Sequence, residues 1–331
     1  MTVRTDEISV VVQGPVVGKV DDAPDVRLTA ACLQSIRHHL PGAEIILSTW
    51  IGSDLRNLDF DRVVESVDAG SVSFSGVYNL GYNLNRQIRS SSAGLRHASR
   101  PYAMKLRSDM RIGGTGFLQL FDQFPARNNE WRVFDRRLVA CNLVSQNVRR
   151  RGLPMCPSDW VHFGQTIDVR KLWDIPEDEG NNVARYFEHR ERPKPDKNPI
   201  LICRYAPEQY VWLHCLKKDG PVDFDHIWDS RPEVVKLTEL TIANNLILAD
   251  EDRLGIRFCK YRQQLQFRLL SYTHTEWLGL YRQYCDPGFR GVSSLRLAWE
   301  RGGRNLAMIT QRVASRMMNA RLSRNENTAK S

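Results

Sequence analysis

Apolar runs and helically spaced apolar residues alternate along the first half of the chain. Four short runs read as strands: Ile8–Gln13, Glu44–Trp50, Arg62–Val67 and Tyr102–Ile112. The first of them, ISVVVQ, is mainly apolar and β-branched, which is typical of a strand buried in a parallel sheet. Between these runs, Leu28–Leu40 and Asn79–Ala98 show helical spacing. Strands that alternate with helices predict an α/β fold with a mainly parallel, Rossmann-like sheet.

The pattern changes towards the C-terminus. Three segments follow the first half: a loop and strand over Leu153–Gly164, a strand over Ile200–Tyr205 and a helix over Pro207–Lys218. Beyond about residue 250, Ile256–Tyr284 and Val292–Arg321 read as long helices. We therefore predict three parts: a core domain over 5–250, a basic helical extension over 251–324 and a disordered tail over 325–331.

Composition narrows the class of protein. Hydrophobic residues make up 42% of the chain, which is enough for a large core. No apolar run approaches the length of a membrane span, and the first residues contain no apolar signal segment, so we expect a cytoplasmic protein. The seven cysteines include no Cys-x-x-Cys pair, so buried free thiols are expected rather than a zinc or redox site.

The positive charge is concentrated in the C-terminal part. Residues 253–324 contain 14 Lys and Arg against 3 Asp and Glu, while the whole chain has a net charge of +9. Basic amphipathic helices commonly lie on anionic membrane surfaces, so we expect such a surface as a partner and no nucleic acid. The alternative is a helical cap that packs on the sheet and leaves its basic face in solvent.

Polar residues follow the predicted strands. Parallel sheets bind ligands outside the carboxyl ends of their strands. In this chain those ends carry Gln13, Gly14, Trp50, Asp68 and Asp109. These positions are therefore candidates for a binding site on pattern alone.

The segment from Lys105 to Arg111 carries the strongest chemical signal. Because side chains alternate across the expected strand Tyr102–Ile112, Lys105, Arg107, Asp109 and Arg111 share one face. A carboxylate between cations suits a nucleotide diphosphate, because Asp109 can hold Mg²⁺ or Mn²⁺ and the arginines can pair with phosphate oxygens. The alternative is a strand whose charges only pair with one another.

Three further segments contain candidate ligands of a sugar or a phosphate. Asp159, Trp160 and His162 combine polar groups with a flat ring on which a sugar could stack, or they form a turn whose aromatic residue belongs to the core. Glu208 opens a helix, where it either serves as a general base or only complements the helix dipole. The helix around Asn85 and Arg86 either contacts phosphate and ribose or presents a polar outer face.

Six segments, in this order, resemble the WavE lipopolysaccharide-synthesis family. They are VVVQGP (10–15), LPGAEIILSTW (40–50), NRQ (85–87), KLRSD (105–109), PSDWVHFG (157–164) and PEQYVW (207–212). The resemblance covers about residues 8–230 and implies lipopolysaccharide or related glycan synthesis on a GT-A-like fold. GT-A enzymes hold a metal with an Asp-x-Asp motif, and the corresponding stretch here, Arg107-Ser108-Asp109, has one carboxylate. The resemblance also implies that Glu208 is the catalytic base, with Asp159 in reserve.

These observations predict a glycosyltransferase that takes a nucleotide sugar as donor and a glycan or lipid-linked glycan as acceptor. The predicted donor site comprises Gln13, Gly14, Trp50, Asp68, Asn85, Arg86, Arg107, Asp109 and Arg111, with a divalent cation on Asp109. Trp160 and His162 are predicted to bind the acceptor. Two alternatives remain at this stage: a nucleotidyltransferase that activates a sugar phosphate, and a non-catalytic scaffold that binds membranes.

Overall fold

The computed structural model describes residues 3–18, 22, 27–73, 81–151, 153–193, 202–259 and 265–310. Its strands are β1 (Ile8–Gln13), β2 (Glu44–Trp50), β3 (Arg62–Ser66), β4 (Val72–Ser73), β5 (Gly81–Tyr82), β6 (Tyr102–Arg107), β7 (Met110–Ile112), β8 (Leu138–Cys141), β9 (Val161–Gln165), β10 (Leu246–Ala249) and β11 (Ile256–Phe258). Its α-helices are α1 (Leu28–His39), α2 (Leu84–Arg96), α3 (Gly116–Phe121), α4 (Val148–Arg151), α5 (Thr166–Trp173), α6 (Pro207–Leu216), α7 (Pro232–Asn245), α8 (Glu251–Leu254), α9 (Leu265–Leu270), α10 (His274–Tyr284) and α11 (294–310).

Seven strands form the central sheet, in the order β10-β8-β9-β6-β1-β2-β3. Only β9 among them runs antiparallel to its neighbours, β6 and β8. All six residues of β1 are buried, as the apolar run predicts for a central parallel strand. The prediction of a mainly parallel, Rossmann-like α/β core is therefore confirmed.

Helices cover the sheet closely. α2 packs on β1 and β2 and also contacts α5, which in turn packs on β6 and β9. The approach of α2 is tight at Gly94, where an added Cβ would lie 2.4 Å from Cγ1 of Val11 and 2.8 Å from Cβ of Ser48. A side chain at this position would push the helix away from the sheet, so glycine fixes the spacing.

The order of the strands reverses beside β1. The chain moves from β1 outwards to β2 and β3 and then returns through α2 to β6, on the other side of β1. At such a switch point the loops after the two strands diverge and leave a crevice, which is where sheets of this kind bind ligands. Here the crevice lies between the ends of β1 and β6, at Gln13 and Arg107.

Several predicted elements differ from the structure. The expected strand Tyr102–Ile112 is broken by a turn at Ser108-Asp109, because β7 leaves the sheet to pair with β11. The expected helix Ile256–Tyr284 is interrupted by β11 and by the capping box of Thr273 and Glu276 that starts α10. Residues 202–205 form no strand, although Ile200–Tyr205 was expected to; residues 200 and 201 lie outside the described part.

The C-terminal helices pack on the core. α10 contacts α7 and β10, and Trp277 belongs to the same hydrophobic cluster as the sheet. α11 covers residues 294–310 of the helix expected over Val292–Arg321; residues 311–331, including the expected tail, lie outside the described residues. In the described part of the chain, no helix combines the length and the apolar character that a bilayer span requires.

Candidate functional site

The ends of β1 and β6 are joined by hydrogen bonds through Ser108. Its backbone N–H donates to the Gln13 carbonyl at 3.0 Å, and its hydroxyl donates to the Pro15 carbonyl at 2.7 Å. Gly14 has φ of +117°, a conformation that L side chains rarely adopt. The Gln13 side chain accepts a hydrogen bond from the Ser90 hydroxyl of α2 at 2.7 Å. The turn after β1 is thus fixed between β6 and α2.

Arg107 and Asp109 form an ion pair at this switch point. The guanidinium donates to both carboxylate oxygens of Asp109, from Nε at 3.0 Å and from a terminal nitrogen at 2.8 Å. The Arg107 guanidinium also lies 5.1 Å from the ring centroid of Trp160. The two side chains keep 21% and 10% of their surface exposed. A planar cation held at the surface in this way can exchange its carboxylate partner for a phosphate oxygen.

Asp159 reaches the same edge because β9 is antiparallel. The residues that precede β9 lie beside the carboxyl end of β6, so Asp159 and Trp160 are neighbours of Arg107. Asp159 is 3% exposed, and its Oδ1 has no hydrogen-bond partner among the described residues. Its carbonyl accepts a hydrogen bond from the fully buried ammonium of Lys105, which lies 4.5 Å from the Trp173 ring centroid. Burial lowers the pKa of Lys105 to about 8.

The structure does not support the expected charged face from Lys105 to Arg111. Lys105 is enclosed rather than directed at a ligand, and the turn after Arg107 separates it from Arg111. Arg111 lies on β7 opposite Arg257, and its Nε has no hydrogen-bond partner among the described residues. Side chains do not continue to alternate between the two faces beyond Arg107, because β6 ends there.

His162 and Trp160 also differ from their expected role on an acceptor surface. His162 is buried between β6 and β8, where it accepts a hydrogen bond from the Trp173 indole at 3.4 Å. Burial and the charge of Lys105 lower the pKa of His162 to about 3. Trp160 is 6% exposed and packs edge-on against Phe258. Both residues are enclosed in the core, so we correct their assignment: Trp160 packs against the Arg107 guanidinium, and His162 is part of the buried core.

A second polar group lies at the start of α2. Arg86 donates to both carboxylate oxygens of Asp68, with the Nε bond at 2.6 Å, and this pairing lowers the pKa of Asp68. Both side chains remain about one third exposed. Asn85 is engaged differently, because its amide bonds the backbone N–H and carbonyl of Asp178. Asn85 therefore ties a loop to α2, which differs from its expected role at the donor.

Glu208 lies near the start of α2. It occupies the first turn of α6 and is half-buried. The Tyr82 hydroxyl donates to the Tyr205 carbonyl at 3.0 Å, which joins the start of α6 to the residues before α2. Burial raises the pKa of Tyr82 well above its ordinary value, and the charge of Glu208 adds to that rise. Trp50, at the end of β2, is also half-buried.

The described residues do not fit a divalent cation at Asp109. Both of its oxygens are occupied by the Arg107 guanidinium, whose charge would repel a metal ion. Within the described ranges, no three His, Cys, Asp or Glu side chains come together as a metal site. Magnesium and manganese need several oxygen ligands, so arginine is the better source of positive charge in this arrangement.

Sequence reasoning missed a cavity beyond β8 and β10. Its volume is about 310 Å³, and it lies past the carboxyl ends of these strands at Asn142 and Asp250. Arg296 and Arg304 of α11 line its other side. The two strands are only four residues long, which is too short for a clear periodic signal. The carboxyl edge of the sheet thus extends further than the sequence indicated.

Comparison with known proteins gives a family. No curated protein matches the chain. A family model described as WavE lipopolysaccharide synthesis matches residues 8–311. This match includes the switch point, α2, α6 and the C-terminal helices, and so extends beyond the six motifs. The chain therefore belongs to the WavE lipopolysaccharide synthesis family and has a role in lipopolysaccharide synthesis.

Proposed function

We propose that this protein is a GT-A-type glycosyltransferase that moves a sugar from a nucleotide sugar to a lipopolysaccharide or related surface-glycan acceptor. One observation supports it above all: an arginine–carboxylate pair lies at the topological switch point of a Rossmann-like sheet, in a chain of this family. A nucleotide diphosphate is the natural ligand of such a crevice, because it combines a flat base with two charged phosphates.

The donor would lie along the ends of β1, β2 and β3. Trp50 is half-buried and Asp68 exposed, so these two side chains would contact the nucleotide, whereas Gln13 and Gly14 are buried and would shape the turn beside it. The diphosphate would bind the guanidinium of Arg107, which releases one or both oxygens of Asp109. Asp109 already pairs with this guanidinium. We assign Asp109 the role of holding the planar guanidinium in the orientation in which it binds the phosphate. Arg86 is the second candidate for the phosphates.

The chemistry is displacement at the anomeric carbon. An acceptor hydroxyl forms the new C–O bond, the bond to the diphosphate breaks, and the transition state resembles an oxocarbenium ion. The departing diphosphate gains negative charge, which the arginines at the switch point stabilise without reorganisation. Glu208 would take the hydroxyl proton, because it lies at the start of α6 beside α2. Asp159 is the alternative base.

Turnover measurements test this proposal. The full chain is incubated with a panel of nucleotide sugars, with and without Mn²⁺, and release of the nucleotide is followed. D109A is expected to lower turnover by about a hundredfold while the melting temperature stays close to that of the wild type, because Arg107 loses the partner that orients its guanidinium towards the departing diphosphate. D122A is the matched control, since Asp122 pairs with Arg136 at 2.7 Å near the start of β8, at the opposite edge of the sheet.

Two results would contradict the proposal. Near-normal turnover of D109A would remove the switch point from the reaction. Pyrophosphate release from a nucleoside triphosphate and a sugar phosphate, without turnover of any nucleotide sugar, would instead indicate a nucleotidyltransferase.

A further inference from the structure

One side of α11 packs against the rest of the protein. Leu297 is 8% exposed and packs against α10, where an added Cβ on Gly279 would lie 2.8 Å from Leu297 Cδ2. Arg282 of α10 donates to the Val292 carbonyl at 2.7 Å, just before the helix. Further along, Arg304 donates to the Arg268 carbonyl at 2.5 Å. These contacts hold the helix at its start and in its second half, and they set which side faces outwards.

The outward side of α11 is apolar. Leu295, Trp299, Leu306 and Ile309 are 80%, 82%, 63% and 56% exposed. Their spacing of four, seven and three residues places all four on one face of the helix, and Gly302 lies in the same row. They are four of the seven large hydrophobic side chains found exposed in the described part of the chain. We call this row the α11 stripe.

Cations flank the α11 stripe. Arg296 and Arg301 are exposed on either side of it. Residues 311–331 add five Lys and Arg against one Glu to the sequence that follows. A second copy of the chain would bring the same positive charges together, whereas an anionic lipid surface would attract them. A tryptophan within an apolar row between arginines is also the composition of helices that lie in a bilayer interface.

We propose that the α11 stripe inserts into the headgroup region of an anionic bilayer, with Arg296 and Arg301 paired with lipid phosphates. The apolar side chains leave water, and the arginine stems extend to the charged surface. This surface lies beside the carboxyl edge of the sheet, because Arg296 and Arg304 line the cavity past β8 and β10. If the proposed glycosyl transfer is correct, the acceptor would be presented there on a lipid.

Vesicle binding tests the inference without any sugar donor. The full chain is floated with vesicles of phosphatidylcholine alone or mixed with phosphatidylglycerol. The wild type is expected to bind the mixed vesicles and to be released as the salt concentration rises. W299S/L306S should lower the partition coefficient by tenfold or more. I51S/I167S is the matched control, because these side chains are 64% and 67% exposed but lie outside α11.

The second variant separates charge from apolar insertion. R296S/R301S should weaken binding to the mixed vesicles and leave the weak binding to phosphatidylcholine unchanged. The inference is overturned if the wild type does not bind, or if W299S/L306S binds as well as I51S/I167S. It is also overturned if sedimentation shows a wild-type dimer that W299S/L306S converts to a monomer, with no vesicle binding by either protein. None of these outcomes depends on turnover, so each is distinct from failure of the proposed function.

Discussion

Lys105 gives a prediction about stability that follows directly from its burial. Its ammonium is fully buried beneath the candidate site, and burial lowers its pKa from 10.5 to about 8. Below the native pKa both states hold the proton, and the native state keeps a desolvated charge. Between about pH 8 and 10.5 the native state has lost the proton while the unfolded chain retains it. Because the unfolded state then binds more protons, the unfolding free energy rises with pH in this window.

The size of the effect follows from the two pKa values. Between pH 7.5 and 9.5 the contribution of Lys105 to the unfolding free energy should grow by about 2 kcal/mol. Other groups titrate in the same range, so the quantity to measure is the difference between the wild type and K105M. This variant keeps an unbranched side chain that is one atom shorter, and it removes the ammonium group.

Urea denaturation at a series of pH values measures this difference. The wild type should gain stability relative to K105M as the pH rises, whereas K217M, which changes an exposed lysine at the end of α6, should follow the wild type. Parallel curves for the wild type and K105M would show that the ammonium of Lys105 is not desolvated, and the burial argument would be refuted.

Three further variants test the packing and the chemistry. G94A should lower the unfolding free energy by about 1–3 kcal/mol, because its Cβ would overlap the sheet. G302A is the control: its Cβ meets no atom within 4 Å, so it should not destabilise the protein. Equal unfolding free energies for the two variants would contradict the close approach of α2 to the sheet. E276A should lower the unfolding free energy, measured by urea denaturation, by about 3–5 kcal/mol, because it removes the carboxylate that pairs with the buried Arg150. A loss below 1 kcal/mol would contradict that pairing. E208Q should lower kcat by about a hundredfold or more with little change in KM, and unchanged kcat would remove Glu208 as the base.

Some of the fold follows from the sequence because the signals are local. β1 and β2 have the predicted bounds, and α1 ends one residue before its predicted end, because a long apolar period and a Pro-Gly stop define it. The helix that begins at Pro207 was likewise predicted from its proline and the apolar residues after it. These elements depend little on their neighbours.

The parts that failed depend on pairing between distant segments. Nothing in the residues 102–112 shows that β7 leaves the sheet to pair with β11, so the turn at Asp109 was not visible. The direction of β9 is equally absent from its own sequence, although it brings Asp159 to the site and buries His162. Sequence alone could therefore place Gln13 and Asp109 at one edge, but not show that Arg107 occupies both oxygens of Asp109.

The most direct test of the central claim is a binding titration of nucleotide sugars with three proteins: the wild type, R107M and R136M. Arg136 is a matched control, since it also pairs with an aspartate and lies over an aromatic ring, 4.0 Å from the Phe121 centroid. At least one nucleoside diphosphate sugar should bind the wild type and R136M with the same affinity. R107M should weaken this binding by about ten- to a hundredfold, which is the effect of losing a hydrogen bond to a charged group. Equal affinity for R107M, or no binding of any nucleotide sugar to the wild type, would contradict the central claim.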